Sequence, residues 1–337
     1  MTGAPLHAAS DTASAAPPAW PIPALQQALA AQLPGGSVEV LERIDSTNTE
    51  LMRRAREGHC APTLLVAEQQ TAGRGRLGRQ WLSSPGDSLT FSLGLPLAPR
   101  DWSGLSLAVG LSVAESLQPE LPASALPLKL GLKWPNDLWL ADDRKLGGIL
   151  IETASFVLPG VGSGFPSSLW APAAATAARY VVIGIGINIR PRDAQGFATP
   201  PACLQDIAPE MDAPAALLRL LPPLLEGVQA FAAHGFAPLR TRYAARDLLA
   251  GREVLLSDGA SGVAQGVGAD GALQVQTPAG LRAITSAEVS VRPRTSAAGA
   301  AAVAVAVAGA LADAGAADDA DPAATAVPPA APPSKAI

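Results

Sequence analysis

Cysteine, histidine and tyrosine are scarce in this chain, with two, three and two copies among 337 residues. Cys60 and Cys203 stand far apart and in no C-x-x-C or zinc-type spacing. That excludes a disulfide scaffold and a thiolate metal cage, and it fits a reducing compartment. His7, His59 and His234 belong to no motif, so a Ser–His–Asp hydrolase has nothing to be built from. No Lys or Arg precedes Arg43, so the charged region of a signal peptide is missing. The most apolar run, 300–312, is mostly alanine and shorter than the ~20 residues of a membrane-spanning helix. Charged residues make up 16%, with 24 basic against 29 acidic, which argues against a broad basic face for nucleic acid. The expectation is a cytoplasmic protein with no membrane or nucleic-acid partner.

Against that low charge, one stretch stands out. Gly73-Arg74-Gly75-Arg76-Leu77-Gly78-Arg79 alternates glycine with arginine. Glycine lets backbone N–H groups approach a ligand, and arginine offers planar forks that fit carboxylate and phosphate. The run reads as an anion clamp. It also matches G-x-G-x-x-G, but the dinucleotide motif needs a helix to begin in the loop. Gln80 to Gly86 reads as a turn and Ser88 to Leu95 as an alternating strand, so that match is rejected.

Other polar runs lie at the ends of expected elements. Val38 to Ile44 alternates as a half-buried strand, and Thr47 and Glu50 have capping-box spacing before a helix that stops at Gly58. Ser46, Thr47 and Asn48 are either helix capping or, in part, ligand contacts. Thr63 to Glu68 is a buried strand, and Trp102 to Gln118 a core helix. Leu128 to Lys133 is a strand that ends in Lys133-Trp134-Pro135-Asn136-Asp137, where proline keeps its neighbour extended. Lys, Asn and Asp at a strand end suit phosphate, a magnesium water shell and a nucleotide. A hairpin follows, with Leu138 to Leu140 and Lys145 to Glu152 as its arms. Lys145 is either a solvated turn lysine or a ligand contact. Tyr180 to Ile189 is a strand whose Gly184 and Gly186, with Asn188, face one side. That spacing marks either a strand bend or room for a ligand. Ala213 to Gly235 is helical, and Phe236 to Leu249 reads as a second short helix. From Gly251 short strands with Asp-Gly and Ala-Gly turns, the last over 289–292, predict a small all-β barrel.

The expected organisation is α+β. Residues 1–34 form an Ala/Pro-rich segment, mostly disordered except for a short helix over 23–33. Residues 35–248 form the main domain, interrupted by a Gly/Pro/Ala-rich insertion over 155–179. Residues 249–293 form the barrel, and 294–337 an Ala/Pro-rich disordered tail.

Taken in order, Ser46-Thr47-Asn48, the 73–79 loop, Lys133-Trp134-Pro135-Asn136-Asp137, Lys145-Leu146-Gly147-Gly148-Ile149-Leu150 and Gly184-Ile185-Gly186-Ile187-Asn188 resemble the biotin protein ligases. The resemblance covers roughly residues 38–292. It implies a mixed sheet flanked by helices, of the class II aminoacyl-tRNA-synthetase-like or biotin–lipoate ligase type, with a C-terminal SH3-like barrel. It implies ATP-dependent formation of biotinyl-adenylate and transfer of biotin to a lysine of a biotin carboxyl carrier protein. Biotin, ATP and Mg2+ are the implied small molecules. Ser46, Thr47, Asn48, Gln70, Arg74, Gly75, Arg76, Lys145, Gly147, Ile149, Gly184 and Gly186 would bind biotin. Arg79, Trp81, Lys133, Asn136, Asn188 and Arg292 would surround the nucleotide, and Lys145, Arg76 and Lys133 would carry catalysis. No fixed protein metal site is implied, with Asp137 as a candidate contact for the magnesium on ATP. With no winged helix in evidence, the resemblance is to the monofunctional ligases, as monomer or homodimer. A lipoate or octanoate ligase and a non-catalytic biotin-responsive regulator are the alternatives.

Overall fold

The computed structural model describes residues 19–120, 129–155, 178–195, 197–285 and 291–293. The insertion and tail expectations lie outside them, apart from the strand residues that flank the insertion, and so does most of the N-terminal segment. Within that segment α1 spans Ile22–Gln32, close to the helix expected there. Its Leu25 and Leu29, with Leu33 just beyond, are buried in the same core as the main sheet. The described part of this segment is therefore packed.

A seven-stranded mixed sheet carries the main domain. Its strands are β1 (Ser37–Ile44), β2 (Thr63–Gln70), β5 (Ser88–Leu97), β6 (Leu130–Lys133), β7 (Asp137–Leu140), β8 (Lys145–Ser155) and β9 (Arg179–Asn188). The order across the sheet is β1-β2-β5-β9-β8-β7-β6. Helix α2 (Thr47–Arg56) crosses over between the parallel pair β1 and β2, and the remaining ladders are antiparallel. Between β2 and β5 the arginine–glycine loop forms its own hairpin, β3 (Gly73–Arg74) on β4 (Gln80–Trp81). The expected turn over 80–86 thus begins with a paired stretch.

Side-chain alternation divides the sheet into two faces. On one, Leu89, Phe91, Leu93, Val181, Ile183, Ile185 and Ile187 pack under α3 (Leu105–Leu117) and α4 (Ala213–His234). By length and composition α4 is apolar enough to cross a membrane, but Leu217, Leu221, Leu224, Leu225, Val228 and Phe231 are buried in this core. On the other face, α2 covers a smaller cluster of Leu51, Met52, Ala55, Leu65, Tyr180 and Val182. Beyond that cluster the same face turns small and polar: Ser88, Thr90 and Ser92 pair with Asn188, Gly186 and Gly184. An uncovered floor results.

The expected second short helix is α5 (Arg240–Ala244), preceded by a single 3-10 turn and followed by turns to Leu249. Asp247, with its side chain buried there, accepts from the Leu249 N–H at 2.8 Å and so helps hold a turn in place of further helix. A five-stranded antiparallel sheet then follows. It comprises β10 (Glu253–Leu256), β11 (Ser261–Val267), β12 (Leu273–Thr277), β13 (Gly280–Ile284) and β14 (Val291–Pro293), in the order β13-β12-β11-β10-β14. It is joined to the main sheet by a buried bond, Trp134 Nε1 donating to Gly271 O at 3.0 Å, and by a part-buried two-pronged pair of Arg252 with Asp143 at 2.6 and 2.7 Å.

Candidate active site

A cavity of about 380 Å³ opens over the small, polar end of the sheet. Its floor exists because two strand positions lack a side chain. A Cβ on Gly184 would come within 2.0 Å of Asn48 Oδ1, and one on Gly186 within 2.4 Å of the Trp81 ring. The alternative of a simple strand bend gives way to close approach by two neighbouring side chains.

At the start of α2 the polar triplet divides: one residue caps the helix and two turn toward the cavity wall. Ser46 is the cap, its Oγ accepting from the Thr49 N–H at 3.4 Å. Thr47 and Asn48 turn inward and are buried. The Thr47 N–H donates to Gln70 Oε1 at 2.7 Å, and Asn48 Nδ2 donates to Leu150 O and to Glu152 Oε2.

At the opposite end, Asp137 gathers the lysines. Lys145 Nζ lies 2.7 Å from Asp137 Oδ1, and Lys133 Nζ 3.9 Å from Oδ2. The buried Lys133 ammonium also lies over the Trp139 ring, 4.8 Å from its centroid. Lys145 is therefore held in place, unlike a solvated turn lysine. Arg76 Nη1 donates to Asn136 Oδ1 at 3.3 Å, while Asn136 Nδ2 holds Ile149 O at 2.7 Å. Burial pushes the Arg76 guanidinium's pKa down, with Asp137 opposing and Arg79 adding to the effect. Arg74 reaches Glu152 at 3.1 Å. Six cationic side chains line the cavity, Arg74, Arg76, Arg79, Lys133, Lys145 and Arg192, against one carboxylate, Asp137. Such a surplus of positive charge suits anionic ligands.

The remaining expected residues divide as follows. Gly75, Trp81, Ile149 and Asn188 line the cavity with those already named. Gly147 does not: its missing Cβ points at Gly186 O (2.5 Å) and Leu138, and Gly148 takes the place on the floor. Ile149 turns its side chain into the helix-covered core. The correction at Gly147 follows from strand parity, since a one-residue step reverses the face. For Arg292 only the backbone is described, in β14 opposite Leu255.

Sequence reasoning missed Thr90 and Arg192. Thr90 could have been found from the alternation Ser88, Thr90, Ser92 opposite the glycines. Its buried Oγ1 and the Trp81 Nε1 have no partner among the described residues, and both belong to the cavity wall. Arg192 carried no motif. It donates to Leu82 O at 2.8 Å and Asn188 Oδ1 at 3.2 Å, and burial lowers its pKa against the pull of Asp87.

A glycine floor closely approached by Asn48 and Trp81, an arginine hairpin at its edge and a lysine–aspartate cluster at its far end make a site suited to anionic ligands. The chain belongs to the biotin/lipoate A/B protein ligase family, whose pattern matches residues 40–159, and the biotin protein ligase C-terminal domain matches residues 250–292. Among its relatives, the bifunctional ligase/repressor BirA of Escherichia coli is 35% identical over 272 residues, 77% of this chain and 76% of that protein. The biotin–[acetyl-CoA-carboxylase] ligase of Paracoccus denitrificans is 32% identical over 259 residues, 74% of this chain and 98% of its own length. The biotin protein ligase from Aquifex aeolicus in complex with biotin and ATP superposes with a TM-score of 0.60 at 29% identity, over 76% of this chain and 99% of that one.

Proposed function

We propose that this protein is a biotin–[biotin carboxyl carrier protein] ligase that activates biotin with ATP and transfers it to a carrier lysine. The observation that carries this reading is the cavity's surplus of cations at one end of a glycine floor. In the first step a biotin carboxylate oxygen attacks the α-phosphorus of ATP, an O–P bond forms, and the bond to pyrophosphate breaks. Two anions must approach, so their repulsion has to be offset in a site that excludes water. Lys145, Lys133 and Arg76 do this, with Asp137 positioning both lysine ammonium groups. In the second step the neutral amine of the carrier lysine attacks the acyl carbon. The amide bond forms, the bond to AMP breaks, and no nucleophile of this chain takes part.

The biotin headgroup and tail lie over Gly184 and Gly186, against Ser46, Thr47, Asn48 and Gln70, with Gly75 and the backbone of Ile149 along the tail. Arg74 and Arg76 close on it from the loop. Arg79, Trp81, Asn136 and Asn188 flank the adenylate, with Arg292 of β14 as a further candidate contact. Among the described residues no three His, Cys, Asp or Glu side chains converge to hold a metal, and Asp137 is already engaged by lysines. Asp137 is the residue that would serve a magnesium ion bound to the nucleotide's phosphates, and such an ion would supply charge neutralisation there.

The division at about residue 249, with an SH3-like small sheet and a class II synthetase-like main sheet, belongs to the same proposal. A register shift between Ala264 and Val267, which curls β11, supports the barrel form. Two buried free cysteines fit a cytoplasmic protein. The carrier domain of a carboxylase is the macromolecular partner, with no nucleic acid, and the ligase acts as monomer or homodimer. Purified protein should exchange pyrophosphate into ATP in the presence of biotin and then label an acetyl-CoA carboxylase carrier domain. Exchange with lipoate and none with biotin would overturn the substrate assignment.

A further inference from the structure

Glu152 belongs to none of the cavity-lining residues, yet it ties two parts of the site together. It lies on β8 opposite Val182, two residues beyond the pair Leu150 and Gly184 and on the same face. Its Oε1 accepts from Arg74 Nη2 at 3.1 Å, with Arg74 Nη1 3.5 Å from Oε2. The same Oε2 accepts from Asn48 Nδ2 at 3.1 Å. One carboxylate thus holds the first arginine of the 73–79 loop and the buried start of α2.

Hydrogen-bond directions then follow from valence. The Glu152 carboxylate and the Leu150 carbonyl can only accept, and both meet the same Asn48 atom, at 3.1 and 3.2 Å. That atom must be the amide nitrogen. Asn48 Oδ1 is thereby turned to Ser92 Oγ, 2.6 Å away, and takes the single proton of that hydroxyl. Ser92 Oγ can then only accept from Thr47 Oγ1, at 2.7 Å. Thr47 Oγ1 is also 3.1 Å from Gln70 Oε1, which already accepts from the Thr47 N–H at 2.7 Å. Whichever acceptor takes it, the Thr47 proton is used within the network, which leaves the hydroxyl oxygen of this cavity-lining residue as an acceptor. Such a floor accepts from a headgroup that carries N–H donors, as a ureido ring does. A dithiolane has no such donors.

We infer that Glu152 is a positioning residue for headgroup recognition, fixing the proton directions of the floor through Asn48 and holding the arginine loop through Arg74. This inference rests on the biotin-ligase reading. The test uses the full-length chain with Glu152→Gln, Arg74→Gln and the double variant. Each is assayed for biotin and ATP KM by pyrophosphate exchange and for escape of the adenylate by filter-binding chase. Glu152→Gln should raise the KM for biotin about tenfold or more, as for loss of a charge-assisted hydrogen bond, and leave that for ATP within about twofold. The biotin effect should persist in the Arg74→Gln background because it runs through Asn48. Faster adenylate escape should appear in both single variants and be no worse in the double.

Equal rises in both KM values, or additive escape rates, would mean a general structural role and would overturn the inference. Should Glu152→Gln not fold, Arg74→Gln, altered on an exposed side chain, tests the loop arm alone: faster escape supports it and unchanged escape refutes it. Wild-type protein that shows no biotin-dependent exchange would sink the ligase reading itself. Normal wild-type exchange with an unaltered Glu152→Gln would sink only this inference.

Discussion

Lys145 and Asp137 show how one contact changes the meaning of a residue. In sequence Lys145 is one lysine beside a hairpin turn, where solvation is the ordinary outcome. In the fold, β7 and β8 bring its Nζ to 2.7 Å from Asp137, at the edge of the cavity. A cation at that place acts on charge that develops in the transition state. Lys145→Met should lower the rate of biotin-dependent pyrophosphate exchange by about 10²–10³-fold. Because the side chain is only half-buried, the thermal midpoint should stay near wild type in a parallel melt. A modest loss of rate, or a collapse of the melt, would contradict the assigned role. The sequence offered the residue type here, and the partner that aims it came from strand pairing.

Whole strands supply the next level. On β9 the apolar residues Val181, Ile183, Ile185 and Ile187 face α3 and α4, and Gly184, Gly186 and Asn188 face the cavity. That division was legible, since strand periodicity is fixed at two. The same rule applied to β8 would have exchanged Gly147 for Gly148. Gly147 comes from the family resemblance instead of from alternation along the strand. Trp81 was placed in a turn, whereas β4 pairs it with Gly73 and lays its ring on Gly186. A methyl group at 186 would lie 2.4 Å from that ring, so the indole must leave the wall. Gly186→Ala should therefore raise the KM for ATP about tenfold, equivalent to ~1.4 kcal/mol, while the protein remains folded. Steady-state kinetics with varied ATP measure this, and an unchanged KM would place the nucleotide elsewhere.

At the scale of the molecule, the junction of the two sheets is polar and buried. Asp247 is fully buried, and its Oδ2 has no partner among the described residues. Burial pushes its carboxyl up to about 6 from 3.8, against the Leu249 and Ala250 N–H groups and Lys129. Beside it the buried Tyr243 hydroxyl has no partner among the described residues either, and the Arg246 guanidinium holds Leu130 O at 3.1 Å. The folded protein binds the Asp247 proton more tightly than the unfolded chain, so this group costs stability as pH rises from about 4 to about 6. Asp247→Asn removes that slope. Relative to wild type the variant should gain on the order of 2 kcal/mol between pH 4 and pH 7, read from urea unfolding at both values. A difference that does not change with pH would show that this carboxyl is not shifted in the fold.

Much of this protein was determined by local order in its sequence. Apolar periodicity set the strands and helices, Asp-Gly and Ala-Gly turns set the small sheet, and the arginine–glycine loop with Lys133 to Asp137 announced an anion site. Those signals act over a few residues, through backbone sterics and alternation. What only tertiary structure decided is how distant residues complete one another: Glu152 with Arg74 and Asn48, Arg192 with Asn188 and Leu82, Trp134 with Gly271. Hydrogen bonds and charge pairs depend on distance and direction in space, which sheet order and strand register alone supply.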